Sequence, residues 1–263
     1  MQKNSFDSLF DFENGVFFQK GLLRNSAFEN VYLELRDKET RNYTDDLVGH
    51  LPSLSGNHPN RKEWRVRTHS SSKLVNYLKA KKEVNTILEL GCGNGWLSNY
   101  LAKSFSSVSV FAMDVNQTEL LQGSRVFGDQ SNLKFYYADI LTCPFPGKTF
   151  DVIVLAASAP YFPSLAKLCS RLLEILTDSG EIHLIDSPIY HSHEIEKSKQ
   201  RSIWYFSESG FPQMQHWYHY HDWYSLNQFH YSILNPPTIW SRLERFVRGT
   251  SPFPWVKITK TLT

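Results

Sequence analysis

ILELGCGNGWLS, residues 87–98, decides how this chain is read. Ile87, Leu88 and Leu90 are apolar, and Glu89 interrupts them. Gly91, Gly93 and Gly95 then alternate through a short loop. Leu97, Tyr100, Leu101 and Phe105 follow at the spacing of one helix face. The order is strand, glycine-rich turn, helix. Glycine is required where backbone turns sharply or passes close to a ligand, because a Cβ obstructs both. Gly93, at mid-loop, is expected to pass closest. A dinucleotide fingerprint requires G-x-G-x-x-G. Counted from Gly91, its last position is Trp96, so a nicotinamide oxidoreductase is the poorest reading. The Gly-Lys-Ser/Thr of a phosphate loop is absent.

Outward from this loop, apolar runs alternate with helical stripes. Strands are expected at 85–90, 107–113, 133–138, 150–156 and 181–186. Helices are expected at 96–105, from about 117, and at 164–177. Asn116 and Glu119 are spaced as a capping pair. Leu165, Leu168, Leu172, Ile175 and Leu176 form a stripe on the third helix, which DSG (178–180) is expected to end. Such alternation implies a parallel sheet with both faces covered, and a ligand beyond the strands' C-terminal ends. Glu89, Asp114, Asp139, Ala156 and Asp186 all fall there.

What stands at residues 89–95 is E-x-G-x-G-x-G, which resembles motif I of the class I S-adenosylmethionine methyltransferases. The resemblance runs over roughly residues 84–190. Asp114 ends SVSVFAMD (107–114), where the family's acid binds the ribose hydroxyls; a carboxylate accepts such bonds well. Asp139 follows LKFYYADI (133–140), where the family contacts the adenine amino group. FDVIVLAAS (150–158) resembles motif IV. The resemblance implies a Rossmann-like α/β sheet, mostly parallel with an antiparallel C-terminal strand, and S-adenosylmethionine as cofactor. It implies cofactor contacts from Glu89, Gly91, Cys92, Gly93, Asn94 and Trp96. Asp114, Val115, Asp139, Ile140 and Ala156 complete that wall. In similar enzymes a basic or polar group just upstream holds the methionine carboxylate. Arg67 is preferred here, with Arg65 the alternative, since a guanidinium fork matches a carboxylate.

Residues 1–82 are read as an N-terminal extension covering the cofactor site, and 83–263 as the methyltransferase domain. VYLELRD (31–37) suits a strand or a short helix, and 40–60 is mostly loop with a short helical piece. The second half of 61–82 is helical. In the last third, 192–210 reads as a helix, 214–226 as an aromatic strand, 238–249 as a basic helical piece and 255–262 as a final strand. The segments 214–226 and 255–262 are expected to form the closing antiparallel pair.

The acceptor side is less explicit. Tyr161 follows strand 150–156 in ASAPYF (157–162), without the Asn or Asp of the amino-base methyltransferases. No acid for a catechol-type metal site and no Pro-Cys nucleophile stand there. Tyr190 and His191 follow strand 181–186, and histidine is the natural base near neutral pH. These three are the catalytic candidates, each set against simple packing or capping. His216, His219, His221 and His230 sit among aromatics, and no metal site is expected from their spacing.

Composition narrows the classes. The chain has 263 residues, is 41% hydrophobic and carries a net charge of +2, so no polybasic field demands nucleic acid. Three cysteines argue against a disulfide framework. The acidic, polar N-terminal stretch is unlike a signal peptide, and no apolar run suits a bilayer. A cytoplasmic enzyme acting on an O or N atom of a small molecule is the expectation. The rivals are an RNA methyltransferase using Arg242, Arg245, Lys257 and Lys260, and a cofactor-binding protein without activity.

Overall fold

The computed structural model describes residues 7–24, 26–54, 56–81, 83–235 and 250–260. In chain order the elements are β1 (Phe10–Glu13), β2 (Val16–Gln19), α1 (Ala27–Lys38), α2 (Asp45–His50) and α3 (Arg61–Ala80). Next come β3 (Thr86–Leu90), α4 (Trp96–Ser104), β4 (Ser109–Asp114), α5 (Gln117–Phe127) and β5 (Leu133–Tyr137). Then follow β6 (Phe150–Ala156), α6 (Leu165–Ile175), β7 (Leu176–Ile185), α7 (Ser192–Glu208), β8 (His230–Ile233) and β9 (Val256–Thr259).

One nine-stranded sheet runs in the order β1-β2-β5-β4-β3-β6-β7-β9-β8. From β2 to β7 all neighbours are parallel. β1–β2, β7–β9 and β8–β9 are antiparallel. This is the Rossmann-like arrangement, with chain order reversing across β3. Side-chain alternation builds both faces. Ile87, Val110 and Val152 pack with Leu74, Leu97 and Leu120 of α3, α4 and α5. Leu88, Ile153 and Leu155 face the other way, onto Leu168, Leu172 and Ile175 of α6. The α6 helix starts where Ser164 accepts a hydrogen bond from the Lys167 amide, the ordinary serine cap.

The described residues before α3 share this architecture. The β1–β2 hairpin adds to the sheet edge, with Val16 opposite Phe135 and Phe18 opposite Tyr137. Residues 31–37 are helical, inside α1: Ser26 caps it and Leu35 buries against Phe206 and Met214. Tertiary contact thus settles a segment whose apolar pattern fits either period.

Three expectations are corrected. DSG (178–180) does not end the helix before a new strand; it lies within β7, whose pairing with β6 shifts register between Phe150 and Val152. Residues 214–226 are not a strand. They hold two 3₁₀ turns, Pro212–His216 and Trp223–Leu226, because Pro212 and the Asp222 side-chain cap favour turns over a ladder. The strand paired with β9 is therefore β8, at His230–Ile233. Residues 238–249, with Arg242 and Arg245, lie outside the described residues. Lys257 and Lys260 are engaged within the fold: Lys257 reaches Tyr77 Oη at 3.3 Å, and Lys260 donates to the Leu176 carbonyl at 2.6 Å. Among the described residues no helix is long and apolar enough to cross a membrane.

Candidate functional site

A cavity of about 510 Å³ opens at the C-terminal ends of β3, β4, β5 and β6. Its floor is the loop Gly91–Cys92–Gly93–Asn94, which leads into α4. Gly91, Gly93 and Gly95 all have left-handed backbone, with φ of 75°, 54° and 74°. Their surroundings differ. A Cβ on Gly91 would stand 2.4 Å from Ser158 Cβ, and one on Gly95 2.4 Å from the Phe135 ring. Those two glycines serve packing. A Cβ on Gly93 would instead first meet the Glu119 carboxylate, at 3.2 Å. Gly93 is the one that keeps backbone open at the cavity floor.

Asp114, at the end of β4, ties that loop down. One carboxylate oxygen accepts the Gly93 N–H at 2.7 Å. The other accepts those of Val115 and Asn116, at 2.7 and 2.9 Å. Burial raises its pKa against the pull of these donors. Four lone-pair sites meet three N–H groups, which leaves capacity for one hydroxyl. Glu119 stands beside it, bonded to the Asn116 amide at 2.9 Å. Burial and the neighbouring Asp114 push Glu119 up to about 7. Glu89 is buried and accepts from Ser98 Oγ, and burial takes it to about 8. Asp139 lies at the end of β5, its amide held at 3.1 Å by Gln19 of the leader.

The opposite wall comes from the leader and α3. Arg67 donates through Nε to Glu63 at 3.0 Å and stacks over Trp64 at 5.4 Å. Trp64 meets Trp96 edge-on at 5.0 Å. Arg65 is exposed and outside the cavity wall. All the expected cofactor contacts line this cavity: Arg67, Glu89, Gly91, Cys92, Gly93 and Asn94, then Trp96, Asp114, Val115, Asp139, Ile140 and Ala156.

The catalytic candidates separate. Tyr161 lines the cavity within an aromatic cap, 5.7 Å from both Phe28 and Tyr32. Burial raises its phenol, so it is a hydrogen-bond donor rather than a base. Tyr190 and His191 are not brought to the cavity. Tyr190 forms an isolated β-bridge with Asp222, its N–H donating to the His221 carbonyl at 2.9 Å and its carbonyl accepting from the Trp223 N–H at 3.1 Å. His191 is exposed and caps α7, its amide donating to Glu194 at 2.9 Å. Proximity in sequence to the end of β7 did not carry them inward, because Tyr190 is bridged to Asp222 and His191 is taken up as the cap of α7. Among the described residues no histidine lines the cavity, and no group of three or more His, Cys, Asp or Glu is placed to hold a metal ion.

Several lining residues had no sequence signal for this role: Phe28, Tyr32, Arg36, Arg41, Glu63 and Glu119. Glu119 was legible as a helix cap, but its direction into the cavity depends on the β4–α5 turn. The leader residues arrive only through the docking of α1. Ala157 and Asp186, which follow β6 and β7, carry left-handed backbone without being glycine, at φ of 61° and 53°. Such strain is concentrated at functional sites.

Residues 87–180 match the family model described as a methyltransferase domain. A malonyl-[acyl-carrier protein] O-methyltransferase of Ilyobacter polytropus is 27% identical over 118 residues, 45% of this chain and 44% of that protein. A fatty-acid O-methyltransferase of Mycolicibacterium smegmatis is 28% identical over 120 residues, 45% and 43%. The chain thus spans less than half the length of these relatives. Among solved structures, geranyl diphosphate C-methyltransferase from Streptomyces coelicolor superposes with a TM-score of 0.57 at 13% identity, covering 90% of this chain and 98% of that one. At that identity the likeness concerns the fold.

Proposed function

We propose that this chain, which carries a class I S-adenosylmethionine-dependent methyltransferase domain, transfers a methyl group to an O or N atom of a small molecule. S-Adenosylmethionine supplies an activated sulfonium methyl group when bound. The donor set suits it: acids for hydroxyls, arginines for a carboxylate, and a glycine loop at the floor. Asp114 and Glu119 would take the ribose side, Asp139 the adenine side, and Arg67 the methionine carboxylate. A cavity of about 510 Å³ is in the range of small-molecule sites. The N-terminal extension, 1–82, is proposed as the cover of this site and 83–263 as the transferase body.

The observation that carries the reading is the bond from Gly93 N–H to Asp114, which holds the glycine loop open at the strand ends. The aromatic cap of Phe28, Tyr32, Tyr161 and Trp217 favours a small acceptor over a nucleic acid strand. The fatty-acid O-methyltransferase among the relatives agrees with a small acceptor. Three free, buried cysteines suit a reducing, cytoplasmic setting. Calorimetric titration with S-adenosylhomocysteine and with NAD tests the proposal. Binding of the first and not the second is expected; binding of NAD alone would overturn it.

A further inference from the structure

A second chamber of about 270 Å³ adjoins the first. The two share one wall: Arg36, Arg41, Glu63, Arg67, Ala157 and Tyr161. The second extends past the ends of β6 and β7 to Asp186, Tyr218 and Phe253. Ala157, with its left-handed backbone, lies in the wall between the two.

The shared wall is an alternating chain of charge. Arg36 pairs with Glu39 at 3.3 Å, Glu39 with Arg41 at 3.1 Å, Arg41 with Glu63, and Glu63 with Arg67 at 2.9 Å. Three guanidinium groups thus share two carboxylates, with an arginine at each end. The buried Nε of Arg41 has no hydrogen-bond partner among the described residues. The remaining acid of the chamber, Asp186, already accepts from Ser70 Oγ at 2.7 Å. Among the described residues no histidine lines this chamber either. Apart from Ser251, the remaining walls are apolar or aromatic, notably Val66, Pro160, Tyr218 and Phe253.

We propose that this chamber is the acceptor site and that it takes a small carboxylic acid with an aromatic or apolar body, its carboxylate held by Arg36 and Arg41. The inference rests on the methyltransferase reading above. A carboxylate is ionised at neutral pH, so it needs no base, which fits a chamber without histidine. A carboxylate oxygen lone pair forms the new bond to the methyl carbon. The sulfonium C–S bond breaks, and its electron pair stays on sulfur. The products are a methyl ester and a neutral thioether, and no proton moves.

The test is calorimetric titration of 3-phenylpropionate, 3-phenylpropionamide and 3-phenylpropylamine into the full chain saturated with S-adenosylhomocysteine. The acid is expected to bind at least tenfold more tightly than its amide. Arg36→Met and Arg41→Met should each lower that affinity about tenfold or more, with thermal unfolding checking that the variants fold. Val66→Phe, which fills only the second chamber, should weaken the acid and leave S-adenosylhomocysteine binding unchanged. Equal binding of acid and amide overturns the proposal. Preference for the amine overturns it too, and points to Asp186 as the binding group. Displacement of S-adenosylhomocysteine by the acid also overturns it, since the arginines then serve the cofactor chamber alone. Failure of S-adenosylhomocysteine to bind at all would instead remove the methyltransferase reading. The acid titration in the unloaded protein, with Val66→Phe as the control, then still judges the chamber.

Discussion

Asp114 was legible from its place at a strand end, yet its bonds show a second duty. It accepts three backbone N–H groups and so fixes the loop as well as facing the cavity. Asp114→Asn replaces two accepting oxygens by one, which strands at least one buried donor. S-Adenosylhomocysteine affinity is expected to fall by on the order of 2 kcal/mol, accompanied by a lower unfolding temperature. Calorimetry and thermal unfolding of the same sample check both; lost affinity with unchanged stability would mean that the carboxylate serves the ligand only. Glu89 makes a pH-dependent prediction. Burial raises it to about 8 from the ordinary 4.5. The folded chain then holds the proton more tightly than the unfolded chain, so stability declines as pH climbs from about 4.5 to about 8. Glu89→Gln should flatten that decline, by on the order of 3 kcal/mol across the window. Denaturant unfolding at pH 5 and pH 8.5 reads the difference.

The strand–turn–helix unit from β3 to α4 is an element whose glycines divide by role. Gly95→Ala would drive a Cβ into Phe135 of β5, so a stability loss of about 1–3 kcal/mol is expected from overpacking, with the left-handed backbone adding to it. Gly93→Ala first meets the Glu119 carboxylate, at 3.2 Å. It should lose less stability and proportionally more S-adenosylhomocysteine affinity. Comparing the two by unfolding and by titration separates packing from binding. At the far edge of the sheet, β7 pairs with β9 over Glu181, His183, Val256 and Lys257. Burial favours the protonated form of Glu181, but its contact with His183 at 3.3 Å and the nearby Lys81 and Lys257 outweigh that and hold it at about 2. Its stabilisation is present above the ordinary carboxylate pKa and is lost as pH falls towards 2. Glu181→Gln should remove roughly 2–3 kcal/mol at pH 7 and flatten acid unfolding between pH 4.5 and 2, leaving cofactor affinity alone. A change in that affinity would show that the edge and the cavity are coupled.

On the scale of the whole molecule, the leader is bound to the body at several separate points. Its hairpin extends the sheet, Glu29 accepts from Thr118 at the start of α5, and Tyr205 of α7 donates to Glu39. Ligand in the cavity would bear on all of these. Hydrogen exchange with S-adenosylhomocysteine bound is expected to slow the amides of α1 and of residues 91–95, and to leave β7–β9 unchanged; protection confined to residues 91–95 would separate the leader from the site. The sequence by itself determined the parallel core, because alternating strands, a helix stripe and a left-handed glycine loop are local patterns with fixed periods. It likewise determined the acids at or within two residues of the ends of β3, β4 and β5, since those positions are fixed once the strand is. What surrounds the ligand from above was decided only in three dimensions. The Arg36–Glu39–Arg41–Glu63–Arg67 chain draws on a helix, the turn after it and a second helix, whose residues carry no common period. The same holds for Tyr190 and His191, which local order put beside the site and the turn into α7 carried away. A strand or helix is chosen by neighbours in sequence, whereas a cavity wall is chosen by whichever apolar faces must be buried together, and that choice belongs to the folded chain.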